Sequence, residues 1–181
     1  MTLHHYLAAE KKLPMGSFGL NPTEIALEKV RQPGKKNKNR VYNKEIASVN
    51  QTEDVSHGIE VIEVDNGYKE VKEHFNHSYV YEIVGYLENP GKSIKELFKY
   101  LDQNLSEGES IEVYSCLDGE EQKPRDNKLD VVINLKTYQL GKHIKLDKKK
   151  YLQQLGESFK LEDKQYIQVL KSEYNHYSLI G

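Results

Sequence analysis

Tryptophan is absent from the 181 residues, cysteine occurs once, and there are five prolines and four phenylalanines. The lone thiol, Cys116, has no second cysteine to join, so an internally disulfide-stapled scaffold is excluded. It lies in Ile111-Glu112-Val113-Tyr114-Ser115-Cys116-Leu117. That apolar setting predicts a buried, inert thiol. No stretch approaches the roughly 18 apolar residues of a membrane-spanning helix. No Lys or Arg precedes the short apolar stretch at the start of the chain, which is unlike a secretory leader. A cytoplasmic protein with no membrane contact is therefore expected.

Arginine is nearly missing too: Arg31, Arg40 and Arg125 stand against 23 lysines. Arg is the usual residue for bidentate phosphate recognition, so its scarcity disfavours base or phosphate reading. The net charge of −2 points the same way, because dedicated duplex binders are strongly basic. Nucleic acid is thus a disfavoured partner.

What is present is enough for a core. Hydrophobic residues make up 37% and charged residues 30% of the chain, and tyrosine is plentiful at 13. The length suits a single α+β domain over 1–181.

Residues 3–9 are β-compatible and predict an opening strand. Pro14, Gly16 and Gly19 mark a loop. Asn21-Pro22-Thr23-Glu24 carries a helix-start signature, and the helix is expected to reach about Arg31, before Pro33-Gly34. Ile59–Val64 predicts a strand, and the Tyr68, Val71 and Phe75 spacing predicts a short helix over 68–77. Tyr79–Leu87 is a strong strand. Ser93 and Glu96 have capping-box spacing, and Ile94, Leu97, Phe98, Leu101 and Leu105 form one apolar stripe of a helix. Strands follow at 111–117 and 129–135, with a short one at 143–146. Asp147 is read as capping a helix through Leu155 with Gly156 as its C-cap, and 159–161 with 166–170 as a closing strand pair.

These segments predict a mixed sheet of about five or more strands, with helices packed on one face and a central β-α-β-β unit over 79–135. The crossover helix should make 79–87 and 111–117 parallel neighbours, and 111–117 should pair with 129–135 as an antiparallel ribbon.

Candidate chemistry is thin. Gly91-Lys92-Ser93 follows a strand and opens a helix, the context in which backbone amides and a lysine meet an anion. The complete phosphate-loop pattern requires glycine at 86, where Tyr86 stands, and Pro90 removes an amide. His74 and His77 are three apart, which on a helix would let both reach one metal ion, but no third ligand has a recognisable spacing. No metal site and no cofactor are predicted. No nucleophile elbow is present.

Charge is segregated. Residues 21–50 and 141–151 each carry a net +4, whereas 107–121 carry −6. With abundant tyrosine and no complete catalytic motif, this pattern predicts a non-catalytic interaction module whose partner is another protein or a second copy of the chain. The alternative is a protein or enzyme that binds a small molecule or anion at Gly91, Lys92 and Ser93.

Overall fold

A computed structural model describes residues 2–19, 21–22, 53–54, 58–64, 69–87 and 92–174. In chain order the elements are β1 (Leu3–Ala9), β2 (Gly16–Phe18), β3 (Asn21–Pro22), β4 (Glu53–Asp54), β5 (Ile59–Glu63), α1 (Lys69–Lys72), β6 (Tyr79–Gly85) and α2 (Lys92–Asn104). There follow β7 (Ser110–Leu117), a 3-10 turn at Asn127–Leu129, β8 (Val131–Asn134), β9 (Gln139–Leu140), β10 (Ile144–Lys145), α3 (Tyr151–Ser158) and β11 (Gln165–Leu170).

Nine of these strands form one mixed sheet, ordered β10-β9-β8-β11-β7-β1-β6-β5-β2, and the α+β expectation holds. Its centre corrects two pairings. The opening strand β1 lies antiparallel between β6 and β7, so the two arms of the β6-α2-β7 crossover are parallel but not adjacent. In the same way β11 lies between β7 and β8, antiparallel to the first and parallel to the second. Strands from the two ends of the chain occupy the slots that local reasoning assigned to consecutive strands.

Three further readings are corrected. Asn21–Pro22 is a short strand paired with Glu53–Asp54 and not a helix start; the rest of that helix, and the basic run 35–40, lie outside the described residues. Gly156 lies inside α3, and Phe159 closes that helix with its amide on the Leu155 carbonyl. Residues 159–161 form no strand; Phe159 and Leu161 are instead buried beneath the sheet with the helices.

The core follows from the alternation of strand side chains. On one face Leu7, Ala9, Tyr81, Ile83, Ile111, Val113, Ile167 and Val169 meet the stripe of α2 and residues of α3. The four stripe residues within α2, and Leu105 just after it, are buried, each worth about 1.5–3 kcal/mol of transfer free energy. The Phe98 and Phe159 rings meet edge-on at 5.4 Å, joining α2 to the end of α3. Lys171, just past β11, finishes α2: its Nζ donates to the Asp102 and Leu105 carbonyls and lies 2.8 Å from the Asp102 carboxylate. Those carbonyls are among the acceptors a helix leaves without partners at its C-terminus.

The opposite face holds a smaller core of Tyr6, Ala8, Val80, Tyr114, Cys116 and Tyr166, closed by Val64 and by Val71 of α1. Glu112 fastens the segment after α1 onto this face. It is 1% exposed and forms no ion pair among the described residues. Its carboxylate instead accepts from the Asn76 and His77 amides, the Asn76 side chain and the Tyr166 hydroxyl. At Gly19 the backbone is left-handed (φ 71°) and a side chain would collide with Glu96, so glycine lets the β2 loop lie against α2.

Candidate functional site

The start of α2 is the first place to look. Ser93 lies within the first turn, is 1% exposed, and donates its hydroxyl to the Gly58 carbonyl at 3.2 Å. The hydroxyl thus ties α2 to the entry of β5. Lys92 is the first residue of α2, and Gly91 lies outside the described residues. A cavity of about 400 Å³ sits beside Gly58, lined among the described residues by Ser17, Ile59, Glu60, Val84, Gly85 and Tyr86. Among the described residues its one charged side chain is that of Glu60.

His74 and His77 do not converge. The helix ends at Lys72, so both sit in turn backbone where the three-residue spacing no longer gives a shared face. His74 Nε2 lies 2.6 Å from the Glu121 carbonyl, and its ring stacks on Tyr114 at 4.1 Å. His77 Nε2 lies 3.0 Å from the Ser110 hydroxyl. Among the described residues no group of three His, Cys, Asp or Glu side chains is arranged to hold a metal. Cys116 is fully buried, and burial, then the carboxylates of Glu121 and Asp163, push its thiol up to about 12. Both effects disfavour the thiolate, the reactive form, near neutral pH.

The charge segregation resolves unequally. The acidic stretch is largely spent inside the chain. Glu107 pairs with Lys136 at 3.1 Å, Glu109 with Lys11 at 2.6 Å, and Glu120 with Lys123 and Lys164. The Lys11 hydrogen bond holds Glu109 below the usual carboxylate range, and Lys123 does the same for Glu120. Glu112 is internal. Asp118 and Glu121 remain, the first 3.7 Å from His4 and the second accepting from the Gly119 amide.

The basic stretch is not spent. Lys142, Lys148, Lys149 and Lys150 are exposed, and none forms an ion pair among the described residues. Asp147, the acid among them, turns its carboxylate onto the Lys149 and Lys150 amides, a local turn that leads into α3. Lys145 bonds the Thr137 carbonyl. Between these lysines Ile144 is 55% exposed on β10, the terminal strand of the sheet. The fold therefore leaves four cations without ion pairs among the described residues, in the turns that flank β10, with one exposed apolar side chain between them.

Next to that edge is a second cavity, of about 390 Å³, lined by Arg125, Asn127, Asp130, Val131, Val132, Lys142, Tyr166 and Gln168. The Arg125 guanidinium lies 4.0 Å from the centre of the Tyr166 ring and 3.4 Å from Asp130 Oδ2. Asp130 Oδ1 is buried with no hydrogen-bond partner among the described residues, and burial raises this carboxyl's pKa against the pull of Arg125. Sequence reading passed over this cavity. Its residues come from three separate segments, and Arg125 is only a loop residue until the fold lays it on Tyr166.

No protein family, curated protein or solved structure matches this chain. Among the described residues no helix is long and apolar enough to cross a membrane.

Proposed function

We propose that this is a non-catalytic interaction module of the cytoplasm that docks an acidic protein segment along its lysine-rich β10 edge. The observation that carries the reading is that Lys142, Lys148, Lys149 and Lys150, around exposed Ile144, form no ion pair among the described residues. Cations with no internal partner are the ones available to an incoming carboxylate, and they steer encounter as well as binding. A second copy of the chain fits this edge less well, because its own acids in 107–121 are mostly engaged internally. A single-stranded nucleic acid also fits less well. Such ligands need aromatic platforms among the cations, and the neighbouring Tyr151 packs on Tyr138 and donates to Asp102.

The test is binding of a fluorescent oligo-glutamate peptide, measured by anisotropy as salt is raised. Binding should weaken steeply with salt and disappear when Lys142, Lys148, Lys149 and Lys150 are all changed to Glu. Absence of binding at low salt, or equal binding by the charge-reversed variant, overturns the proposal. Tighter binding of an oligothymidylate than of the peptide would transfer the edge to nucleic acid.

A further inference from the structure

We infer that the cleft between Arg125 and Lys142 is a binding site for a small organic anion with an apolar ring, such as an aryl phosphate or aryl carboxylate. This goes beyond the docking reading and rests on separate residues, sharing only Lys142 with it. Three features of the cleft define its ligand.

The first is a cation held in place. The Arg125 guanidinium carbon sits 4.0 Å over the Tyr166 ring centre, and its Nε is 3.3 Å from the Asn127 side-chain oxygen. The ring and this contact restrict the guanidinium, so less rotamer freedom is lost when it grips an anion. Tyr166 is fixed in turn, because its hydroxyl donates to the buried Glu112 at 2.6 Å.

The second is the charge balance. Arg125 and Lys142 outnumber Asp130, and Lys142 makes no ion pair among the described residues. An anion entering the cleft meets Lys142 without having to displace a carboxylate from it, while a cation would face two like charges.

The third is shape and polarity. About 390 Å³ lies in the range of small-molecule sites. The buried side chain of Val132 and the Tyr166 ring provide apolar surface. A bare inorganic ion leaves that surface uncovered, and a neutral ring leaves the two cations without a partner. An aromatic ring bearing one anionic group satisfies both.

The experiment is an amide-resolved NMR titration of the full chain with phenyl phosphate. Benzoate, inorganic phosphate and benzyl alcohol serve as comparison probes. Phenyl phosphate or benzoate should shift the amides of residues 125–132, 142 and 166–168. Inorganic phosphate and benzyl alcohol should each bind about tenfold more weakly or less. Arg125→Gln should weaken phenyl phosphate about tenfold, and Asp130→Asn, which removes the competing carboxylate, should tighten it. Val132→Phe should fill the cleft and abolish binding while leaving the lysine edge, and its peptide binding, intact. If no aryl anion shifts these amides, the inference is wrong. It is equally wrong if benzyl alcohol binds as tightly as phenyl phosphate, or if both Arg125→Gln and Asp130→Asn leave the affinity unchanged.

Discussion

Replacing His5 with glutamine is expected to flatten the acid side of the stability profile. His5 sits on the central strand β1, 3% exposed, facing the helix-covered core. Its Nδ1 lies 2.8 Å from the Ser115 hydroxyl, and its Nε2 is buried with no hydrogen-bond partner among the described residues. A proton on Nε2 would therefore be charged, buried and unbonded. Burial, with His4 nearby as a smaller cause, lowers the imidazole from 6.5 to about 4. The unfolded chain takes up this proton as pH falls through about 6.5, while the folded chain resists until about 4. Stability is thus untouched above about pH 7 and is lost in that window, by about 2 kcal/mol at pH 5 and about 3 kcal/mol at pH 4. For a chain of this size 3 kcal/mol corresponds to a fall in Tm of roughly 6–12 °C. Urea unfolding followed by circular dichroism at several pH values measures this. Subtracting the His5→Gln profile from the native one cancels the other titrating groups, and the difference should grow to about 3 kcal/mol toward pH 4. A difference that stays flat with pH, or an imidazole titrating near 6.5 by NMR, would refute the reasoning.

Glu112→Gln places an amide NH₂ against the Asn76 and His77 amides and should cost about 3 kcal/mol. Hydrogen exchange at residues 73–78 should accelerate before the rest of the chain responds; uniform protection there would contradict the fastening role. Lys171→Met leaves the Asp102 and Leu105 carbonyls without their ammonium and should cost about 1–2 kcal/mol, read by thermal unfolding, with fraying at residues 102–105. Cys116 should resist iodoacetamide near neutral pH in the folded protein and react readily in urea, as mass spectrometry will report.

The parts of the fold legible in the sequence are those fixed by contacts within one segment. The stripe of α2 is legible because five apolar residues at helical spacing have one way to be buried together. The strands β1, β6, β7 and β11 are legible from their apolar and β-branched content. Their order is not. Nothing within residues 79–117 signals that β1, some seventy residues earlier, inserts between the crossover strands, and likewise for β11 beside β8. Gly156 misleads because it marks a helix end in the sequence, yet backbone bonds carry α3 on to Ser158. The site is legible only in part. The 141–151 lysine run is visible at once. That its charges form no ion pair among the described residues while Glu107, Glu109 and Glu120 do, depends on lysines 11, 123, 136 and 164, scattered through the chain. Glu112 does leave a trace, a lone acid within an apolar strand, which signals a buried carboxylate with a structural task.

Docking at the β10 edge is tested most directly by mapping where an acidic peptide lands. In an NMR titration with oligo-glutamate, the account predicts amide shifts concentrated in residues 141–151 and strongest around Ile144 and Lys148–Lys150. Shifts centred on any other part of the sheet, or none at all at low salt, would contradict it.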